Sequence, residues 1–200
     1  MKVLIIGGVA GGATAAARIR RLDENAEIVV IEKSGFVSYA NCGLPYYIGG
    51  VIEDERELTL QTPKGFWKRF RIDVRTRSEA LSIDTRNKTV TISDLYEEKI
   101  YRESYDKLLL SPGAKPVKPE MEGTDEEGVF TLRTVEDTLR IREYAVKNKP
   151  KTAVIAGGGF IGLEVAENLV NMGVDVTIVQ GPSQVLAPLD EDMASVIQMY

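Results

Sequence analysis

One pattern occurs twice in the chain: a short apolar run, a glycine-rich turn, a helix-forming stretch and a second apolar run. The first copy starts with the run 3–6 and the turn 7–12, and the second with the run 153–156 and the turn 157–162. A buried strand that passes through a tight glycine turn into a helix is the start of a βαβ unit, which builds a parallel sheet. Because the unit is repeated, the sequence predicts an α/β chain with two related modules.

The second turn carries the more complete motif. Gly157, Gly159 and Gly162 match the pattern G-x-G-x-x-G between a predicted strand and a predicted helix. In that pattern the first glycine allows the tight turn, the second lets a pyrophosphate approach the backbone, and the third lets helix and strand pack closely. We therefore predict a dinucleotide site at this turn, and a glycine turn that serves packing alone is the alternative.

The first turn departs from this pattern at one position. Gly7 and Gly12 occupy the first and third glycine positions, but Val9 stands at the second. Glu32, at the end of the next predicted strand, is an acidic residue that can accept hydrogen bonds from both ribose hydroxyls of an adenosine. This combination favours an adenosine diphosphate without a 2′-phosphate, as in FAD, and a solvated strand end is the alternative.

Gln180 takes the place of Glu32 in the second copy. A neutral amide still forms hydrogen bonds with ribose, and unlike a carboxylate it does not repel a 2′-phosphate. We therefore expect the second site to accept both NADH and NADPH.

Thiol and imidazole chemistry is restricted by the residue counts, since the 200 residues include one cysteine, Cys42, and no histidine. An intrachain disulfide, a C-x-x-C relay and metal sites built on histidine are therefore excluded, and no metal site is expected. Pro45 and the pair Gly49-Gly50 bracket a short predicted helix. Cys42 would lie at the amino-terminal end of that helix, where the helix dipole favours the thiolate form. A buried cysteine that acts only as a small hydrophobe is the alternative.

The predicted helix after the first turn has a polar, cationic stripe. Its members, three or four residues apart, are Thr14, Arg18 and Arg21. A row of guanidinium groups suits a polyphosphate ligand, and a solvated basic face is the alternative. A second, apolar stripe at the same spacing is expected to pack on the sheet, and it consists of Ala15, Ile19 and Leu22.

The overall composition is that of a soluble globular protein, because 44% of the residues are hydrophobic and 28% are charged. The formal net charge of −5 gives no general attraction to nucleic acid or to an anionic membrane. The longest apolar stretch, 3–17, is interrupted by glycines and is shorter than the roughly 20 residues that a membrane span needs. We expect a cytoplasmic protein that binds neither nucleic acid nor membranes.

Five segments together resemble one family. They are Gly-Gly-Val-Ala-Gly-Gly-Ala-Thr at 7–14, Glu-Lys at 32–33, Ser-Tyr-Ala-Asn-Cys-Gly-Leu-Pro-Tyr at 38–46, Ser-Pro-Gly-Ala-Lys-Pro at 111–116 and Gly-Gly-Gly-Phe-Ile-Gly-Leu-Glu at 157–164. The combination resembles the FAD-dependent pyridine nucleotide-disulfide oxidoreductases, and within them the single-cysteine branch that reduces coenzyme A disulfide. The resemblance implies a glutathione reductase-like α/β fold with two Rossmann-like domains, one for FAD and one for NAD(P).

The resemblance also implies roles for individual residues, with Cys42 as the catalytic thiol. The residues that would bind FAD are Gly7, Gly8, Val9, Ala10, Gly11, Gly12, Glu32, Lys33, Ser111, Pro112 and Gly113. Those that would bind NAD(P) are Gly157, Gly158, Gly159, Phe160, Ile161, Gly162, Glu164 and Gln180. Those that would contact coenzyme A are Thr14, Arg18, Arg21, Ser38 and Asn41. A further family contact is a lysine near 68–71, and its place is taken here by Phe70 between Arg69 and Arg71, which leaves that contact open.

The reaction that the resemblance implies is the reduction of coenzyme A disulfide by NAD(P)H through FAD, with a mixed disulfide between Cys42 and coenzyme A. Three alternatives remain open. The first is an NADH oxidase or peroxidase of the same family, which typically has a histidine where this chain has Ala10. The second is a reductase of coenzyme A persulfide or polysulfide, and the third is a non-catalytic nucleotide-binding fragment.

A domain plan follows from the same resemblance. Residues 1–148 would form the amino-terminal part of the FAD-binding domain and residues 149–200 the first half of the NAD(P)-binding domain, so that the second module is truncated. The dimerisation domain, through which a homodimer would form, would lie outside this chain. We therefore expect the chain to be the amino-terminal part of a longer enzyme and to bind FAD weakly by itself.

Overall fold

The computed structural model describes residues 1–199. Within this range the strands are β1 (Lys2–Ile6), β2 (Glu27–Ile31), β3 (Ile72–Arg75), β4 (Ser78–Asp84), β5 (Thr89–Asp94), β6 (Lys99–Ser104), β7 (Lys107–Leu110), β8 (Thr152–Ala156) and β9 (Asp175–Val179). The α-helices are α1 (Ala10–Leu22), α2 (Leu44–Ile48), α3 (Glu55–Leu58), α4 (Pro63–Phe70), α5 (Val135–Asn148), α6 (Phe160–Asn171) and α7 (Glu191–Gln198). A short 3-10 helix covers Asn41–Gly43. The chain forms two compact units, of which the first contains residues 1–40 and 59–117 and the second contains residues 41–58 and those from 118 onward.

The first unit is built on a parallel sheet with the strand order β3-β2-β1-β7. Its central strands are continuous runs of valine, isoleucine and leucine, which is the pattern of strands that are buried on both faces. On one face, Ile5 and Ile28 share a core cluster with Phe66 of α4 and with alanines of α1. On the other face, Leu4 and Val29 pack against the antiparallel sheet β4-β5-β6.

The position of β1 in this sheet creates room for a ligand. β1 pairs in parallel with β2 on one side and with β7 on the other. The connections that follow β1 and β7 therefore diverge at the carboxyl ends of the strands, and open α/β sheets bind their ligands at such a switch point. The first glycine turn lies directly at this edge, because it begins at Gly7, one residue after β1.

The second unit contains the parallel pair β8 and β9, which α6 connects. The helices α5 and α6 pack against the short helix α2, and Ile48, Leu169 and Val174 form the core cluster of this unit. α5 begins with a capping box, in which the Thr134 hydroxyl accepts from the Asp137 N–H and the Asp137 carboxylate accepts from the Thr134 N–H. Such a reciprocal cap fixes the start of a helix.

The α/β class predicted from the repeated pattern is confirmed, and both strand–turn–helix modules lie where the sequence indicates. The helices α3, α4 and α5 and the strands β3 and β6 were not predicted. The expected apolar stripe of α1 is partly wrong. The helix buries Gly12, Ala13 and Ala16, and Ile19 packs on the core, whereas Leu22, the last residue of the helix, is 70% exposed.

In the part of the chain that the structure describes, no helix is both long enough and apolar enough to cross a membrane.

Candidate functional site

The first glycine turn requires glycine for backbone reasons. Gly7 has φ +99°, a conformation that side chains rarely permit. A Cβ on Gly12 would lie 1.7 Å from the carbonyl oxygen of Gly7. α1 starts directly after Val9, which provides no side-chain cap, and no acidic residue stands in the first helical turn. The first N–H groups of α1 therefore have no side-chain cap and can donate to a bound acceptor.

Two backbone N–H groups hold the Glu32 carboxylate, and one of them belongs to this turn. Its carboxylate is buried, with the residue only 8% exposed, and Oε2 accepts from the N–H of Gly8 at 2.7 Å. Oε1 accepts from the N–H of Ser34 at 2.9 Å. An ionised carboxylate offers about four acceptor positions, so it retains capacity for hydroxyl donors of a ligand.

Ser111 closes the other side of the turn. Its carbonyl oxygen would be 1.9 Å from a Cβ on Gly7, and its hydroxyl oxygen would be 2.4 Å from a Cβ on Gly11. The structure thus brings together the turn 7–12, Glu32 and Ser111, which are three parts of the predicted FAD site. The neighbouring Pro112 and Gly113 are exposed, and Lys33 forms an ion pair with Glu79 at 2.8 Å.

The second glycine turn repeats the geometry of the first with different side chains. Gly157 has φ +110°, and a Cβ on Gly162 would lie 2.1 Å from the carbonyl oxygen of Gly157. The N–H of Gly158 donates to Oε1 of Gln180 at 2.7 Å, and Nε2 of Gln180 donates to the carbonyl oxygen of Gln184 at 3.2 Å. Both ends of the Gln180 amide are therefore fixed by backbone partners.

The middle of the second turn is open. A Cβ on Gly159 would meet no described protein atom within 4 Å. Phe160 and Ile161, which follow it, are 61% and 49% exposed. Packing within the described residues therefore does not account for a glycine at position 159.

Cys42 lies in the second unit, in the 3-10 helix that leads into α2, and its side chain is exposed. Pro45 stands in the first turn of α2 and Gly49 caps its end, as the sequence predicts. The exposed position also agrees with the prediction that Cys42 is not a core residue. Asn41 lies beside it in the same short helix.

Two side chains outside the predicted set hold α2 in place. The guanidinium of Arg142 in α5 donates to the carbonyl oxygens of Tyr47 and Ile52, and it lies 4.4 Å from the centroid of the Tyr47 ring. Asn168 of α6 is 1% exposed, and its Oδ1, which has no hydrogen-bond partner among the described residues, would be 2.2 Å from a Cβ on Gly49. Gly49 is therefore required for the close approach of α2 and α6.

The first unit contains a cavity of about 420 Å³ beside α1. Thr14 and Ser38, two residues of the predicted coenzyme A set, line it. Ser38 has φ +50°, and it is held there because its N–H donates to the carbonyl oxygen of Gly8 and its own carbonyl oxygen accepts from the N–H of Leu60. A strained residue that the surrounding structure holds in place is common where a ligand binds.

The two arginines of α1 that were predicted to contact coenzyme A do not line this cavity. Arg18 and Arg21 are exposed on the same face of the helix as Thr14. Arg20, which was not predicted, has a structural role, because its guanidinium donates to the carbonyl oxygens of Phe70, Ala26 and three further residues at the end of the helix and beyond. The α1 stripe thus consists of exposed cations, while the arginine between them stabilises the fold.

The remaining lining of the cavity comes from residues that sequence reasoning did not assign to it. α4 contributes Phe66, Arg69 and Phe70, and the segment before it contributes Leu60 and Gln61. The signal that could have located α4 is the pair Thr62-Pro63. Thr62 caps the helix through its hydroxyl, which accepts from the N–H of Gly65, and Pro63 is its first residue.

An ion-pair network lies between the two sheets of the first unit. Glu103 of β6 accepts from the ammonium of Lys2 at 2.6 Å and from the guanidinium of Arg75. Burial raises the pKa of the Glu103 carboxyl, but the hydrogen bonds from Lys2 and Arg75 outweigh it, and the pKa is lowered overall. The hydrogen bonds that Lys2 donates to the carboxylates of Glu103 and Glu27 raise its pKa.

Each of the two modules has parallel strands with a glycine turn at their carboxyl ends. In each, a backbone N–H of the turn donates to a side chain that follows the next strand. This combination defines a dinucleotide-binding α/β protein. The model of the pyridine nucleotide-disulphide oxidoreductase family matches residues 1–200, and the chain belongs to that family. The family resemblance of the sequence motifs is thereby confirmed.

Named relatives are similar over nearly the whole chain. The coenzyme A disulfide reductase of Staphylococcus epidermidis is 43% identical over 192 residues, which are 96% of this chain and 43% of that protein. The crystal structure of reduced Bacillus anthracis CoADR-RHD is 48% identical with a TM-score of 0.96, and the match covers 99% of this chain and 36% of that one. A NAD-dependent persulfide reductase from A. fulgidus is 39% identical with a TM-score of 0.94, and it covers 100% of this chain and 38% of that one. The chain therefore spans less than half the length of these relatives.

Proposed function

We propose that this chain is part of a flavoprotein that uses NAD(P)H to reduce coenzyme A disulfide, with Cys42 as the reacting thiol. The observation that carries the proposal is an exposed, single cysteine at the start of α2 in a chain 43% identical to a protein named coenzyme A disulfide reductase. The substrate, the cofactors and the assembly as a cytoplasmic homodimer are parts of this proposal, as is the division into an FAD-binding domain up to residue 148 and an NAD(P)-binding domain after it.

The first turn fits the adenosine diphosphate part of FAD. The uncapped amino terminus of α1 offers N–H groups to a pyrophosphate, and the buried Glu32 offers carboxylate oxygens to ribose hydroxyls. Bound FAD supplies the exchange of two electrons between a nicotinamide and a disulfide. Ser111 and the residues after it would line the same edge of the sheet.

The second turn fits a nicotinamide dinucleotide. The open space at Gly159 supports a close approach of a pyrophosphate to the backbone, and the amino terminus of α6 follows directly. Gln180 would bind the ribose next to that pyrophosphate. Residues 152–200 contain no lysine or arginine, so a 2′-phosphate of NADPH would meet neither an attracting cation nor a repelling carboxylate at position 180.

Cys42 would act as the nucleophile of a thiol–disulfide exchange. Its thiolate attacks one sulfur of coenzyme A disulfide, the disulfide bond breaks, and one coenzyme A leaves as a thiolate that takes a proton from water. The new bond joins Cys42 to the second coenzyme A. Two electrons from NAD(P)H then cleave this mixed disulfide and release the second coenzyme A with the thiolate of Cys42.

Mass spectrometry of the reduced protein after incubation with coenzyme A disulfide tests the proposal. We expect one coenzyme A on the peptide that contains Cys42, removed by dithiothreitol and absent in a Cys42→Ser variant. If Cys42 stays unmodified by coenzyme A disulfide but is converted to sulfenic acid by peroxide, the protein belongs with the oxidases or peroxidases instead.

A reductase of coenzyme A persulfide is a second candidate, favoured by the 39% identity to the persulfide reductase from A. fulgidus. The same thiolate would attack the persulfide at its inner sulfur, form the same mixed disulfide and release hydrosulfide instead of a thiol. Comparing the rate of adduct formation from coenzyme A disulfide with that from coenzyme A persulfide, with hydrosulfide release as the second readout, separates the two functions.

A further inference from the structure

The segment that carries Cys42 is too short to fix its own position. The 3-10 helix Asn41–Gly43 has 3 residues, and α2, which follows it directly, has 5. Isolated helices of this length are not stable in water, and they depend on tertiary contacts for their structure. The position of the Cys42 thiol is therefore set by the side chains that hold α2 from outside.

Apolar packing buries one side of α2. All but one of its residues are buried, and Ile48 shares a core cluster with Leu169 and Val174. Cys42, just before the helix, is exposed. Apolar contacts have no preferred direction, so they bury a short helix without fixing its rotation. Directional contacts are needed for that.

Arg142 of α5 supplies directional contacts at the carboxyl end of α2. Its guanidinium donates to the carbonyl oxygen of Tyr47 in the last turn, and more distantly, at 3.4 Å, to that of Ile52 in the loop that follows. The guanidinium also lies over the Tyr47 ring, with Cζ 4.4 Å from the ring centroid. Carbonyl groups of a last helical turn lack partners inside the helix, and the planar guanidinium presents its donors in a rigid fork. Arg142 therefore fixes the end of α2 and the loop after it in one arrangement.

Asn168 of α6 reaches the same end of α2 from a second helix. Its Nδ2 donates to the carbonyl oxygen of Glu164 at 2.8 Å, and its Oδ1 lies against Gly49. The residue is 1% exposed, and this Oδ1 has no hydrogen-bond partner among the described residues. A buried carbonyl oxygen without a donor destabilises a fold, so it persists only where its surroundings are firmly held. The carboxyl end of α2 is thus confined by α5 and α6, and Cys42 lies at the opposite end.

We propose that Arg142 is a positioning residue for Cys42, which fixes the carboxyl end of α2 and thereby aligns the thiol at the opposite end with a disulfide substrate. This inference rests on the proposed function, in which the Cys42 thiolate attacks one sulfur of coenzyme A disulfide, forms the mixed disulfide and releases one coenzyme A thiolate. The attacking sulfur must approach along the S–S bond that breaks, so the rate depends on its direction of approach. A displacement of about 1 Å can slow such a reaction about a hundredfold.

Two reactions of the Cys42 thiol test the inference. Iodoacetamide is small and reaches an exposed thiol from many directions, whereas coenzyme A disulfide must be aligned. We expect Arg142→Ala to slow mixed-disulfide formation about tenfold and to leave the alkylation rate within about twofold. Arg142→Lys, which keeps the charge without the fork, should recover part of the lost rate. The matched control is Arg140→Ala, an exposed arginine of the same helix that pairs with Asp137, and it should leave both rates unchanged.

A nitroxide label on Cys42 reports the order of the segment without any substrate. The electron paramagnetic resonance spectrum of the label should show greater mobility in Arg142→Ala than in the unchanged chain, and the same mobility in Arg140→Ala as in the unchanged chain. Urea unfolding of each variant distinguishes local loosening from loss of the fold. If Arg142→Ala does not fold, Arg142→Lys is compared with the unchanged chain in both experiments.

Three results would overturn the inference. They are equal label mobility in Arg142→Ala and Arg140→Ala, an equal slowing of alkylation and mixed-disulfide formation in Arg142→Ala, and mixed-disulfide formation in that variant at the rate of the unchanged chain. If the unchanged chain forms a mixed disulfide and any of these results is found, the proposed function stands while this inference fails. If the unchanged chain forms no mixed disulfide although the label is more mobile in Arg142→Ala, the proposed function fails while Arg142 still orders the segment of Cys42.

Discussion

The two glycine turns of this chain have the same backbone and different surroundings. In both, the first glycine has a positive φ, the third lies against the carbonyl oxygen of the first, and the N–H after the first glycine donates at 2.7 Å to a side chain from the next strand. The first turn is enclosed by Ser111 and carries Val9 at its middle position. The second is open around Gly159.

The two turns also differ in the side chain that accepts the hydrogen bond from the N–H after the first glycine. Glu32 is charged and buried and accepts from two backbone groups, whereas Gln180 is neutral and half-buried and accepts from one while donating to another. The comparison shows that the glycines and the strand ends give both turns the same backbone. The turns differ at the middle residue and in the acidic or amide side chain, and we propose that these differences decide which ligand each turn binds.

The largest expected effect separates the glycines that the fold requires from Gly159, for which we propose a role in ligand binding. Gly12→Ala and Gly162→Ala each force a methyl group against a backbone carbonyl, and we expect losses of about 3 and about 2 kcal/mol in the free energy of unfolding, measured in urea. Gly159→Ala, whose methyl meets only open space, should change that free energy by less than about 0.5 kcal/mol. A loss at Gly159 as large as at Gly162 would remove the distinction.

The next effect compares the side chains at the strand ends. Glu32→Ala leaves the N–H groups of Gly8 and Ser34 without their partner, and we expect a loss of about 2 kcal/mol in the free energy of unfolding. Gln180→Ala frees the N–H of Gly158 and the carbonyl oxygen of Gln184, whose contact is longer at 3.2 Å, and because this side chain is only half-buried the change should cost about 1 kcal/mol. Equal losses would mean that the buried carboxylate does not organise the first turn more firmly than the amide organises the second.

Coenzyme choice at the second turn should respond to charge. We expect NADH and NADPH to bind within about a hundredfold of each other in the unchanged protein, because Gln180 neither attracts nor repels a 2′-phosphate. Gln180→Glu should weaken NADPH relative to NADH by about tenfold, which titration with both coenzymes measures. An unchanged ratio in this variant would place the 2′-phosphate away from position 180.

The smallest effect concerns the network of Glu103 in the first unit. Because the pKa of Glu103 is lowered in the folded protein, its carboxylate contributes stability above the ordinary carboxyl pKa, and this stability is lost as the pH falls through the lowered value. Urea unfolding at pH 7 and at pH 3 should therefore show a smaller decline for Glu103→Gln than for the unchanged protein. A parallel decline in both would show that Glu103 does not contribute to the acid sensitivity.

The sequence predicted the features that have a fixed spacing. Gly7, Gly12, Gly157 and Gly162 follow from a local backbone requirement, and Gly159 follows from the spacing of a dinucleotide-binding motif. Cys42 was placed at a helix start by Pro45 and the glycines after it. The cavity wall could not be predicted in the same way. Arg69 and Arg71 are equivalent in the sequence, and they differ because α4 ends between them in a left-handed turn, which sends the two side chains to different aromatic partners. Arg142 and Asn168 were missed because their contacts with α2 join segments about 100 residues apart.

The dissociation constant for FAD, measured by flavin fluorescence with added FAD, tests most directly whether the two turns are specialised. The variant Glu32→Gln gives the first turn the side chain type of the second while still accepting the Gly8 N–H, so the fold is preserved. We predict that Glu32→Gln weakens FAD about tenfold or more, while Gln180→Ala changes its affinity less than about twofold. FAD binding that is unaffected by Glu32→Gln but lost in Gln180→Ala would contradict the assignment of the first turn to FAD.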